Sequence, residues 1–191
     1  MGKGRLEAFS DGVIAVIITI MVLELKVPHE ASLAALNDAM PIFGSYVLSF
    51  VFIAIYWNNH HHMLHAVQTV SGAALWANLH LLFWLSLVPF MTAWMNDSHF
   101  AVIPVAFYGV VLLLAGTAYY VLAQILIRLH GSQSALAAAI GGDAKGLTSM
   151  ALYALAIGLA FINRWLAIAL YALVALMWLV PDKRIEKVLK T

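Results

Sequence analysis

Between Ala39 and Ile127 the chain carries a single Asp, Glu, Lys or Arg, namely Asp97. Nearly half of a 191-residue sequence therefore has almost no ionic means of facing water. Soluble domains are roughly one quarter charged, whereas this chain is 10% charged and 64% apolar, with a mean hydropathy of +0.93. A hydrocarbon core about 30 Å thick takes about 20 apolar residues per helix, which leaves room for about six spans and none for a soluble catalytic domain. The formal net charge of +1 offers nothing to nucleic acid. The absence of cysteine excludes disulfides, thiolate metal sites and cysteine nucleophiles.

Apolar runs and their breaks predict an all-α membrane protein with spans at about 6–25, 41–65, 73–95, 101–129, 147–163 and 165–180, all within one domain covering 1–191. Lys26-Val27-Pro28 ends the first span. The polar stretch His29 to Met40, with Glu30, Asn37 and Asp38, cannot remain in lipid. Pro41 suits a first helical turn. Asn96-Asp97-Ser98-His99 makes a tight polar exit, and Pro89 predicts a kink. Ala135 to Ile140, in the link from His130 to Gly146, predicts a short interfacial helix. Asn163-Arg164 is a very short turn, and Pro181 stops the last helix before a charged tail. Lys3 and Arg5 before an apolar run resemble a signal peptide. Asp11 inside that run, and the lack of a convincing cleavage site, favour a retained helix.

Six spans put both termini on one side. With the termini inside, Lys3, Arg5, Arg128, Lys145, Lys183, Arg184, Lys187 and Lys190 are inner, and only Lys26 and Arg164 are outer. That positive-inside bias predicts cytoplasmic termini in a cell inner membrane. Trp94, Trp165 and Trp178 near span ends fit interfacial anchors, and no internal repeat is visible.

Chemistry concentrates at the start of the first helix. Asp11 lies about one turn inside the membrane boundary, where an unpaired carboxylate costs at least a few kcal/mol. The candidate partners by depth are Arg5 and Ser10 on the same helix, and Asn58, Asn59, His60, His61, His62 and His65 near the inner end of span two. Three readings stand. His61 and His65, four apart, have metal-ligand spacing, although no accompanying Glu base or third ligand is fixed. Asp11 and the histidines are also suited to a proton relay in a coupled transporter. In the third reading His and Asn groups form a structural clasp around Asp11 and Ser10.

Arg5-x-x-x-Phe9-Ser10-Asp11, followed by a β-branched helix with a threonine and ending in Leu23-Glu24-Leu25-Lys26-Val27-Pro28, resembles the signature of the transmembrane protein 175 family, the lysosomal potassium channel and its bacterial relatives. Tyr56-Trp57-Asn58-Asn59-His60-His61 is similar to that family's second helix, and Asn78-Leu79-His80 through Val88-Pro89-Phe90 to its third. The second half of the chain matches only in hydropathy and span count. The resemblance implies a homotetramer of six-helix subunits in the bilayer, with four first helices lining one pore for monovalent cations. It calls for no cofactor beyond permeating potassium. The single-unit length resembles the bacterial members, and no Thr-Val-Gly-Tyr-Gly filter occurs.

At 100° per residue, Gly12, Val16, Thr19, Ile20 and Leu23 fall within a stripe of about 100° on the first helix. By register with Phe9-Ser10-Asp11, the resemblance gives Val16 the position of a constricting isoleucine and Thr19 the position of a hydroxyl layer. Valine is smaller, so the narrowest ring falls at Val16, Ile20 or Leu23; Ala15 supplies no second hydroxyl. Rings of branched alkyl groups gate by dewetting. Four Thr19 hydroxyls would replace part of a cation's hydration, and Glu24 at the outer mouth would concentrate cations. The same stripe is also what a tight helix-packing seam uses.

His80 reads as a hydrogen-bonded buried histidine, and Ser86 has no adjacent base for nucleophilic chemistry. The leading expectation is a potassium-preferring cation channel rather than an enzyme. A proton-coupled transporter using Asp11 and the span-two histidines is the alternative, and a membrane metal enzyme built on His60, His61, His62 and His65 is a third.

Overall fold

The computed structural model describes residues 2–28, 30–140 and 143–179. Among them are eight helices: α1 Gly4–Leu23, α2 Leu33–His65, α3 Gly72–Ser86, α4 Val88–Asp97, α5 Val102–His130, α6 Ala135–Ile140, α7 Ala144–Ala160 and α8 Arg164–Leu179. The segments Gly4–Leu23, Leu33–His65, Gly72–Asp97 and Val102–His130 are long and apolar enough to cross a membrane. Helices α7 and α8 are apolar but have 17 and 16 residues, about 25 Å at 1.5 Å per residue. Four of the six expected spans thus fall on segments of full crossing length, the third of them made of α3 and α4 together, and the last two fall on shorter helices.

Local chemistry explains where the boundaries differ from expectation. Helix α2 begins eight residues before Pro41, because the Ser32 side chain accepts the Ala35 N–H at 3.1 Å and caps it. Pro41 therefore lies inside the helix and not at its first turn, and residues 33–40 of the expected loop are helical. The third expected span is broken at Leu87, immediately before Val88-Pro89, and the proline occupies the first turn of α4. Asp143 caps Gly146 N at 3.1 Å, which starts α7 three residues early. In the α4–α5 turn His99 and Phe100 both have positive φ, 50° and 57°, and Phe100 N donates to Met95 O at 2.8 Å. The short helix expected at Ala135–Ile140 is present. Val180, Pro181, Lys183, Arg184, Lys187 and Lys190 lie outside the described residues, as does His29.

Helix α5 is the axis of the bundle and packs against α3, α4, α7 and α8. Val105, Leu112, Ala115, Ala118, Leu122 and Leu126 on it are buried. Close approach to α8 depends on Gly109: a Cβ there would stand 2.8 Å from the Tyr171 ring carbon Cζ and 2.9 Å from Ile157 Cγ1. The Tyr171 hydroxyl donates to Val105 O at 3.1 Å. A buried polar layer ties α2 to α4 and α5: Ser49 Oγ lies 2.7 Å from Thr92 Oγ1 and 3.0 Å from the Tyr108 hydroxyl, and Ser45 Oγ donates to Asn96 Oδ1 at 2.6 Å.

Helix α1 lies at the side of this bundle, against α2 and α3 with a lighter contact to α4. Past its C-terminal end the Lys26 ammonium meets Asp97 Oδ1 at 2.7 Å, both groups well exposed. The lone charge of the long apolar stretch is thus half of an ion pair. Lys26 is held above its ordinary range by the hydrogen bond to Asp97 and then by that carboxylate's charge.

Candidate functional site

Helix α1 has two unlike faces. Leu6, Ser10, Ile14, Ile17 and Met21 recur at helical spacing and are buried against the bundle. On the other side Val16, Ile20 and Leu23 are 55%, 44% and 80% exposed, and Gly12, Thr19 and Glu24 are exposed with them. Ile18 is intermediate. An open groove of about 800 Å³ runs beside this face, between Gly12, Val16, Ile20 and Glu24 on one wall and Pro89 and Phe90 of α4 on the other. The Thr19 hydroxyl donates to Val16 O at 2.9 Å. Its proton is occupied within the helix, so its lone pairs are what it presents outward.

The polar groups expected to form one clasp are divided between two. Asp11 Oδ1 accepts the Trp57 indole N–H at 3.0 Å, in a half-exposed position. Ser10, one residue earlier, points into the bundle: its hydroxyl donates to Leu6 O at 2.8 Å and accepts from Asn78 Nδ2 at 2.9 Å. Asn78 Oδ1 lies 2.7 Å from His60 Nε2. With the amide nitrogen given to Ser10, the Asn78 carbonyl accepts, so His60 donates from Nε2. His60 Nδ1 is then left as a buried acceptor with no partner among the described residues. Ser10, Asn78 and His60 are all essentially inaccessible, and they pin α1, α3 and α2 together at one level.

Arg5, Phe9 and Asn58 are exposed, and Asn59 turns back to Ile55 O at 2.8 Å. His61 Nδ1 stands 3.5 Å from Glu7 Oε1, and the rings of Trp57, His61 and His65 stack along α2 at 6.2 Å and 6.1 Å. Among the described residues no group of three His, Asp or Glu side chains converges to hold a metal ion. His80, expected to be buried, is exposed and accepts the Trp84 indole N–H at 2.8 Å. Sequence reasoning missed Asn78 as the joint between three helices. The signal was an amide in an otherwise apolar span, noticed only as part of a motif.

The family described as endosomal/lysosomal potassium channel TMEM175 matches residues 5–89. The chain is 55% identical over 190 residues to a potassium channel of Chryseobacterium sp. (strain P1-3), covering 100% of this chain and 99% of that one. It is 32% identical over 187 residues to a potassium channel of Streptomyces collinus, covering 92% and 91%. The crystal structure of a lysosomal potassium-selective channel TMEM175 homolog from Chamaesiphon minutus superposes with a TM-score of 0.79 at 27% identity, covering 94% of this chain and 97% of that one.

Proposed function

The chain belongs to the endosomal/lysosomal potassium channel TMEM175 family, and from that premise we propose that it is a passive, potassium-preferring cation channel. Its subunit is one six-span domain, with α7 and α8 as the last two spans. Four copies bring their α1 helices around a common axis in the cell inner membrane, with both termini cytoplasmic. Val16, Ile20 and Leu23 supply rings of branched alkyl groups, Thr19 a layer of hydroxyl oxygens, and Glu24 an acidic outer mouth.

The observation that carries this reading is the division of α1 into a packed face and a bare one. An apolar helix against lipid has no use for Gly12, Thr19 and Glu24 on the bare side, whereas a conduction path does. Branched rings admit an ion only after it sheds water, which costs potassium less than sodium, and the Thr19 lone pairs replace part of what is lost. Asp11, Trp57 and the Ser10–Asn78–His60 chain then serve to hold the angle of α1, together with Arg5, Phe9, Asn58 and His61 around its inner end.

The Glu7–His61 pair and the stacked histidines beyond it favour a second reading, a proton-coupled transporter. Trp57 weighs against it, because the indole that binds Asp11 does not titrate and separates that carboxylate from the histidine row. Potassium and sodium flux through purified protein in liposomes, with and without an imposed proton gradient, tests both. The channel reading expects non-saturating flux that favours potassium and ignores the gradient. Saturating flux that moves protons in fixed ratio would overturn it.

A further inference from the structure

At the start of α8 a cavity of about 210 Å³ opens between α2, the α4–α5 turn, α5 and α8. The buried Met95, Tyr108 and Tyr171 make its floor, and the exposed Pro41, Gly44 and Trp165 its mouth. Gly44 leaves the space open, since a Cβ there would meet nothing within 4 Å. Phe100 closes the side next to Trp165, with ring centroids 5.6 Å apart. It has a φ of 57°, a conformation unfavourable for a bulky residue, so the α4–α5 turn holds this ring in place at a cost in strain.

The wall suits hydrocarbon and not water. The volume would take roughly seven waters at about 30 Å³ each, and each water needs about two to four polar partners. The lining's three hydroxyls already have partners: Ser45 Oγ has Asn96 Oδ1 at 2.6 Å, Tyr108 has Ser49 Oγ at 3.0 Å, and Tyr171 donates to Val105 O at 3.1 Å. What remains on them falls well short of seven waters. Left empty, the space forfeits the dispersion contacts of its lining. An apolar chain entering from the surrounding lipid restores them.

A cation beside the mouth selects the head group. Arg164, the first residue of α8, holds its guanidinium carbon 5.5 Å from the centre of the Trp165 ring. Among the described residues Arg164 makes no ion pair, whereas Lys26, the other outer cation, is paired with Asp97. The positive end of the α8 dipole adds to its charge. A planar guanidinium takes phosphate oxygens in pairs, and with no carboxylate paired to Arg164 the mouth favours an anionic head group over one that carries an ammonium. In the six-span reading this end of α8 lies at the outer membrane surface, and the inference rests on that reading. We propose that the cavity takes one acyl chain of an anionic glycerophospholipid from the outer leaflet, with the lipid phosphate held by Arg164.

The test is native mass spectrometry of the delipidated full-length assembly in detergent, titrated with phosphatidylglycerol. The comparison lipid is a diacylglycerol with the same chains and no phosphate. Arg164→Gln removes the charge. Gly44→Leu fills the cavity from a position with free space, and Gly158→Leu adds the same bulk on the exposed face of α7, where a Cβ also meets nothing within 4 Å. One phosphatidylglycerol per subunit is expected to saturate the site. Its binding is expected to weaken about tenfold in Arg164→Gln, to weaken about tenfold in Gly44→Leu, and to be unchanged in Gly158→Leu. Diacylglycerol is expected to bind the parent about tenfold less tightly than phosphatidylglycerol does, and to bind Arg164→Gln as tightly as phosphatidylglycerol does. No saturable retention, unchanged binding in either Arg164→Gln or Gly44→Leu, or an equal loss in Gly158→Leu would overturn the proposal. So would a Gly44→Leu chain that no longer assembles while Gly158→Leu does, because a second copy, and not lipid, would then cover this face. Lipid retention is read without ion flux, so this site and the channel reading fail separately.

Discussion

Asn78 Nδ2 donates to Ser10 Oγ at 2.9 Å with both residues fully buried, and through this bond the third helix sets the position of the first. The Asn78 carbonyl holds His60 Nε2 on the second helix at 2.7 Å. Replacing Asn78 with Ala leaves the His60 imidazole N–H buried without its partner, at a cost of about 1–3 kcal/mol, and takes from Ser10 Oγ the donor it accepts while its own bond to Leu6 O remains. Asn78→Ala is therefore expected to lower the thermal midpoint of the detergent-purified assembly, followed by size exclusion after heating, more than Asp11→Ala does. The Asp11–Trp57 bond is half-exposed, and water replaces part of it. An Asp11→Ala loss equal to or larger than that of Asn78→Ala would contradict this ranking.

Much of this arrangement was legible in the residues. The packed and bare sides of α1 follow from a 3.6-residue period, and Asp97 and Pro89 mark real ends and breaks. What was not legible depends on direction and on neighbours. Ser10 and Asp11 are adjacent, yet their side chains diverge by about 100°, so one joins the core while the other stays near its edge. Span length alone does not say that Ser32 begins α2, because a capping serine and a loop serine are the same letter. His80 has a partner, Trp84, one turn away on its own helix, and so needs no burial to be satisfied.

Gly109 tests the packing of the bundle axis. Ala at this position would force its methyl into the Tyr171 ring and Ile157, and overpacking of this kind costs about 1–3 kcal/mol. Gly109→Ala is expected to destabilise the protein measurably in thermal unfolding, and Tyr171→Leu in the same chain to recover part of the loss. If Gly109→Ala melts with the parent, α5 and α8 are farther apart than described.

The Lys26–Asp97 pair tests the outer edge. Because Asp97 raises the Lys26 pKa above its ordinary value of 10.5, the pair's contribution is fully present below that value and is lost only as pH rises through the still higher folded value. The difference in stability between the parent and Asp97→Asn is therefore expected to stay constant from about pH 6 to 9 and to shrink as salt is added. A difference that changes across that range would mean another group is titrating.

Selectivity and leak separate the hydroxyl layer from the apolar rings. Thr19→Val keeps the shape of the side chain but removes its oxygen, so the potassium-to-sodium flux ratio is expected to fall while the assembly stays intact. Ile20→Asn or Leu23→Asn is expected to wet the constriction and raise total cation leak. An unchanged ratio in Thr19→Val would remove the threonine layer from the conduction path.

The central claim is that the bare face of α1 lines the path of the ion. The chain has no cysteine, so single cysteines can be placed along α1 and challenged with a small water-soluble thiol reagent during potassium flux. Block confined to positions 12, 16, 19, 20 and 23, with none at 14, 18 and 21, is the predicted result. Equal block on both faces, or block at no position, would contradict it.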